Sequence, residues 1–325
     1  MVETILDPVL TLAGLGLIFG TGLAVASRVF AVEVDPKVEA INKALPGANC
    51  GACGYPGCAA FAEAVAAGKA PVNGCPVGGA DCTENLGNIM GVNAEAGEKR
   101  IARVICNGTD CNAREKFNYE GMKDCKAAIM VQGGSKACEF GCLGLGTCVD
   151  VCPFDAVYID NGLAKIDEEK CTACEKCVVE CPKDVIEMIP YSQKVAVDCN
   201  NKEFGKKVKF KCSVGCIGCK ICVKQCPFDA IKFEDNLAKI DYEKCTNCML
   251  CAEKCPTKAI WADFNSRKKA VIIDDKCIGC TICAKKCPVD AIKGELKGLH
   301  KVLNDKCIGC SVCYEKCPKD AIEMK

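Results

Sequence analysis

The chain has 325 residues, 34 of them cysteine and only one histidine, with a formal net charge of +0, 26% charged and 6% aromatic residues. Balanced charge without a Lys/Arg-rich arm excludes a nucleic-acid binder, and the lone His300 excludes a multi-histidine metal or haem site. Cysteine at about one residue in ten, much of it at metal-ligand spacing, points to thiolates kept reduced and not to a disulfide scaffold.

Residues 8–30 read PVLTLAGLGLIFGTGLAVASRVF, long enough to cross a hydrocarbon core of ~30 Å as a helix. Residues 1–33 are therefore expected to form a transmembrane anchor. A secretory signal carries Lys or Arg ahead of its apolar run; here Glu3 and Asp7 precede it, although Ala24-Val25-Ala26 resembles a cleavage site. The nearby basic residues Arg28, Lys37 and Lys43 all follow the span. The positive-inside rule then puts the amino terminus outside and the rest of the chain in the cytoplasm.

Residues 34–95 contain Cys50, Cys53, Cys58 and Cys75. Four cysteines suit one [4Fe-4S] cluster, held by a glycine-rich loop and a helix over 59–67 that stops at Gly68. A connector at 96–135 follows, with Cys106, Cys111 and Cys125.

Three ferredoxin-like modules in tandem come next, at 136–190, 213–262 and 263–325, with a second connector at 191–212. The last has Cys277, Cys280, Cys283 and Cys287 before Pro288, then Cys307, Cys310, Cys313 and Cys317 before Pro318. This is the bacterial ferredoxin spacing written twice, in which the fourth cysteine of each run ligates the other cluster. The crossed sets are 277/280/283/317 and 307/310/313/287. In the middle module Cys216, Cys219, Cys222 and Cys226 precede Pro227, and Cys245, Cys248, Cys251 and Cys255 precede Pro256. The same crossing gives 216/219/222/255 and 245/248/251/226. The first module is half regular: Cys171, Cys174, Cys177 and Cys181 keep the spacing, whereas Cys138, Cys142, Cys148 and Cys152 depart from it. The expected sets there are 138/142/148/181 and 171/174/177/152.

Between the cysteine runs, AVYIDNGLAKIDEEKC and AIKFEDNLAKIDYEKC each hold two short alternating stretches around Asn161-Gly162 and Asp235-Asn236, a strong hairpin signal. Four evenly spaced cysteines ending in proline favour cubanes over zinc, which CxxC pairs also bind. Seven clusters leave Cys82, Cys106, Cys111, Cys125, Cys199 and Cys212, enough for an eighth cluster or for spare buried thiols. VICN at Cys106 is like VDCN at Cys199, and Cys138-EFG-Cys142 is like Cys212-SVG-Cys216. Residues 104–190 and 197–262 thus read as one duplicated unit, in which Cys138 and Cys212 are equivalent.

The span ending in SRVFAVEVDPKVEAI, the CGACGYPGC segment and CIGCTICAKKCPVDAIKGELKGLHKVLNDKCIGC together resemble the family of B components of Rnf complexes, ion-translocating electron transport complexes that link ferredoxin to NAD. Two extra cluster pairs make the chain similar to the longer, clostridial-type form. The resemblance implies an α+β iron-sulfur subunit of a Na⁺- or H⁺-transporting ferredoxin:NAD⁺ oxidoreductase, single-pass in the cytoplasmic membrane, with the other members of the complex and soluble ferredoxin as partners. It implies no flavin or NAD on this chain, and no GxGxxG turn or Walker loop is found. Ferredoxins are usually acidic, so Lys206, Lys207, Lys209 and Lys211, or Arg267, Lys268 and Lys269, are expected as docking patches or plain solvated charge. His300 is expected on the surface or beside the last two clusters, hydrogen-bonding a sulfur. The competing reading is a membrane-tethered polyferredoxin serving a hydrogenase or related enzyme.

Overall fold

The computed structural model describes residues 3–29 and 35–325. Helix α1 (Glu3–Val29) is 27 residues long, or about 40 Å at 1.5 Å per residue. Its stretch Thr11–Val29 is apolar, uncovered by the rest of the chain, and long enough to cross a membrane. Residues 30–33, expected to complete the anchor, lie outside the described residues.

A small helical domain follows, made of α2 (Pro36–Ala44), α3 (Cys58–Ala66) and α4 (Gly79–Met90). Asp35 accepts the Lys37 N–H to cap α2, and Pro36 starts it with a preset φ. Ile41, Phe61, Val65 and Leu86 bury their side chains together between the three helices. Helix α3 ends within a residue of the expected stop, and Gly68 turns the chain with φ +69°.

The remainder is one design used three times. In each unit the first and last strands pair antiparallel and an inner hairpin lies between them in the chain. The first unit pairs β1 (Arg100–Val104) with β4 (Ile186–Pro190) around the hairpin β2 (Val157–Asp160) and β3 (Leu163–Ile166). The second pairs β5 (Val195–Val197) with β8 (Ile260–Ala262) around β6 (Ile231–Glu234) and β7 (Leu237–Ile240). The third pairs β9 (Ala270–Ile272) with β12 (Ile322–Met324) around β10 (Ile292–Lys293) and β11 (Lys301–Val302). Asn161-Gly162 and Asp235-Asn236 make the two tight turns with both residues at positive φ, as a primed hairpin turn requires.

The segments 96–135 and 191–212, expected as connectors, each carry the first strand of the unit that follows. A lone strand of three to five residues has no turn partner nearby and gives no hairpin signal. In each unit the buried core mixes aliphatic side chains with cysteines: Ile101, Val185, Ile186 and Ile189 pack with Cys142, Cys148, Cys171 and Cys177 in the first. With so few large side chains, cysteine-lined spaces occupy what is ordinarily hydrophobic interior.

Candidate metal centres

The cysteine loops share a backbone device. The residue after the second cysteine of each regular run (Glu175, Lys220, Met249, Thr281 and Ser311) has φ between 59° and 62°. That left-handed kink opens the short helices α7 (Lys176–Glu180), α9 (Ile221–Gln225), α10 (Leu250–Glu253), α11 (Ile282–Lys286) and α12 (Val312–Glu315), each carrying the third cysteine. After the fourth cysteine and its proline the chain turns back. The N–H four residues on then donates to that cysteine's sulfur: Ala156 to Cys152, Ala230 to Cys226, Ala291 to Cys287 and Ala321 to Cys317, at 3.2–3.4 Å. Such N–H donors favour the thiolate, the form that binds iron.

In the third unit Cys277, Cys280, Cys283 and Cys317 line one cavity, and Cys287, Cys307, Cys310 and Cys313 line another of similar size. In the second, burial pushes the Cys222 thiol up to about 11, helped by the charges of Cys216, Cys219 and Cys255. Burial likewise takes Cys251 to about 12, with Cys248, Cys245, Cys222 and Cys226 adding to it. The structure thus brings together the crossed sets drawn from spacing.

The first unit differs in one ligand position. Burial takes Cys177 to about 12 with Cys171, Cys174 and Cys152 around it. Cys148 also reaches about 12 through burial, and the neighbouring charges are Cys142, Cys125, Cys181 and Cys177. Cys125, on α5 (Cys125–Ile129), therefore stands where spacing put Cys138. Asp124 holds it there, accepting from Ala127 N–H and from the Thr147 hydroxyl at the start of α6 (Thr147–Asp150), while Cys125 N–H donates to Thr147 Oγ1 at 2.6 Å. Cys138 turns instead to a space shared with Cys106, Cys199 and Cys212.

In the amino-terminal domain Cys75 is raised by burial, countered by the Gly78 and Val77 amides and reinforced by Cys53 and Cys50. Cys58 opens α3, its N–H donating to Asn49 Oδ1 at 2.8 Å. Cys82, on α4, is a fifth cysteine here: burial raises it to about 11, beside Cys75 and Cys58. Cys111 is exposed.

Cysteines of different groups also adjoin. Cys310 feels the charge of Cys248, Cys148 that of Cys177, and Cys174 that of Cys50.

The donor set fits cubanes. Among the described residues no three Cys, His, Asp or Glu side chains converge tightly enough for a single ion, whereas ligands to the corners of a four-iron cube stand further apart. Buried polar atoms also lack acceptors that a cluster sulfur supplies. His300, 1% exposed, lines the 277/280/283/317 cavity with Nδ1 3.2 Å from Gly298 O and Nε2 without a partner. Thr172 Oγ1, between Cys171 and Cys174, is buried and unpartnered too.

Of the basic patches, Lys206, Lys207 and Lys209 are exposed on α8 (Lys206–Lys211), while Lys211 is tied to Glu203 at 2.9 Å. Arg267 is ion-paired with Glu253, and Lys269 donates to Asn304 O, so the second patch is largely engaged in internal contacts.

Known families match in the same order. Residues 45–77 match an Fe-S cluster family, 137–156 and 164–187 match 4Fe-4S binding domains, and 215–259, 244–291 and 270–324 match 4Fe-4S dicluster domains. The B component of the Na⁺-translocating ferredoxin:NAD⁺ oxidoreductase complex of Acetobacterium woodii is 51% identical over 246 residues, 75% of this chain and 74% of that protein. The B component of the ion-translocating oxidoreductase complex of Methanosarcina acetivorans is 42% identical over 76% of this chain and 94% of its own. The corresponding component of the proton-translocating ferredoxin:NAD⁺ oxidoreductase complex of Clostridium ljungdahlii is 45% identical over 75% of this chain and 86% of its own. The chain belongs to the family of Rnf B components, the iron-sulfur electron-transfer subunits of ion-translocating oxidoreductase complexes.

Proposed function

We propose that this chain is the electron inlet of an Rnf-type complex, accepting electrons from reduced ferredoxin in the cytoplasm and passing them along successive cubanes to membrane partners. The observation that carries this reading is the succession of four-cysteine sets, several of which meet a neighbouring set through adjoining cysteines. The ligand sets we assign are 50/53/58/75, 125/142/148/181, 152/171/174/177, 216/219/222/255, 226/245/248/251, 277/280/283/317 and 287/307/310/313. When bound, the clusters supply one-electron storage at closely spaced points. The protein holds the thiolates, aims N–H groups at them and excludes water.

Helix α1 anchors the chain, and the basic residues in its last turn and beyond, Arg28 and Lys37 among them, favour a cytoplasmic position for everything that follows. Ferredoxin docks on the exposed Lys206, Lys207 and Lys209 face of α8, whose buried Val208 lines the Cys106/Cys138/Cys199/Cys212 cavity. Reversing the three lysines to Glu is expected to slow reduction by ferredoxin about tenfold or more at low salt and to flatten its salt dependence. Unchanged rates at low ionic strength would remove the docking site. Purification from native membranes with no other integral membrane protein would favour the tethered polyferredoxin.

A further inference from the structure

The seven assigned sets take 28 of the 34 cysteines and leave Cys82, Cys106, Cys111, Cys138, Cys199 and Cys212. Cys111 is exposed and Cys82 packs on Cys75. The other four line a single cavity, bordered also by Cys142 and Asp198 and comparable in size to the two cavities of the third unit. A space walled by cysteine sulfur in the manner of the third unit's two cavities is shaped for the same kind of occupant.

Its construction follows the duplication. Cys106 and Cys199 each stand two residues beyond the first strand of their unit, β1 and β5. Cys138 and Cys212 each stand four residues before Cys142 and Cys216. One device serves both halves: the Cys142 amide bonds the Cys106 thiol, and Cys216 N–H donates to Cys199 Sγ at 3.2 Å. Further donors converge, with Gly108 N–H on Cys106 at 3.4 Å and Asn201 Nδ2 on Cys138 at 3.3 Å.

Lys136 adds a charge argument. It is 2% exposed, lines the same cavity, and holds its ammonium against the Gly108 and Gly162 carbonyls at 2.7 and 2.6 Å. Among the described residues no carboxylate pairs with it. A buried cation without a counter-charge is costly, and a net-negative tetrathiolate cubane beside it provides one.

We propose that Cys106, Cys138, Cys199 and Cys212 hold a further [4Fe-4S] cluster, two ligands from each of the first two units, through which electrons cross between those units. The proposal rests on the chain being a cubane carrier. The site adjoins Cys142 on one side and Cys216 on the other, ligands of the flanking clusters. One electron arriving takes this cluster from its 2+ to its 1+ state as the donor returns to 2+. It then leaves for the far side, with no bond made or broken and no proton moved.

The test uses the full-length chain made anaerobically. Wild type is expected to hold about 32 irons, eight cubanes of four, and the Cys106→Ser/Cys199→Ser double variant about 28, with an equal loss of sulfide. Wild type without iron would end the carrier reading altogether. Wild type at about 28 irons and an unchanged double variant, or one zinc per chain at the site, would overturn this proposal alone. Should the double variant fold poorly, Asn201→Leu is the second arm. It should keep all its iron and show a single cluster midpoint moved downward in a redox titration. A titration identical to wild type overturns the assignment.

Discussion

His300 shows how one side chain serves a cluster. Its Nδ1 lies 3.2 Å from Gly298 O, and its buried Nε2 meets no protein partner beside the 277/280/283/317 site that it lines. A hydrogen bond from this ring to a cluster sulfur favours the more negative, reduced cluster. His300→Leu is therefore expected to lower one midpoint by ~40 mV, taking the bond as about 1 kcal/mol stronger in the reduced state; an unmoved midpoint in spectroelectrochemistry would refute this. Cys125→Ser should cost one cluster, about four irons, while Cys111→Ser costs none. Iron analysis of the two variants decides whether Cys125 is a ligand. Spacing does not announce Cys125 as one, because it lies 17 residues before Cys142 with no motif between, and only the Asp124–Thr147 contacts carry it in. The regular runs are legible because their ligands sit within one loop, where spacing is geometry.

At the scale of elements, the cluster loops depend on left-handed positions that side chains tolerate poorly. Gly279 has φ +67°, and a Cβ there would meet Gly298 N at 2.7 Å. That glycine lets the Cys277–Cys283 loop lie against the loop carrying His300. Gly279→Ala should cost about 1–3 kcal/mol of strain and displacement, seen as faster iron loss to a chelator from the 277/280/283/317 site. Equal loss rates would show that the approach is not tight. The inner hairpins are visible in the chain as Asn-Gly and Asp-Asn between alternating stretches. The outer strands are not, since β1 reaches its partner β4 across more than 80 residues and nothing local announces the pairing. Sequence likeness between the duplicated units accordingly starts only at residue 104, whereas the first strand begins at Arg100.

At the scale of the whole molecule, cysteine stands in for the missing aromatic core. All four of the largest buried clusters combine aliphatic side chains with four or more cysteines, including those packed at their edges. Folding and cluster binding are then one process. Stripping iron from the intact protein under reducing conditions should abolish most far-UV circular dichroism from the three ferredoxin units while leaving the helix signal of α1. Retention of the strand signal would show that the aliphatic residues alone hold the units together.

The adjoining cysteines Cys310 and Cys248, Cys148 and Cys177, and Cys174 and Cys50 each join one group to a neighbour. A link through one such pair has no detour. Oxygen damage at one member of such a pair would cut the link without dimming the whole evenly: groups on the reductant's side of the break would still bleach when reductant is added, and those beyond it would stay oxidised.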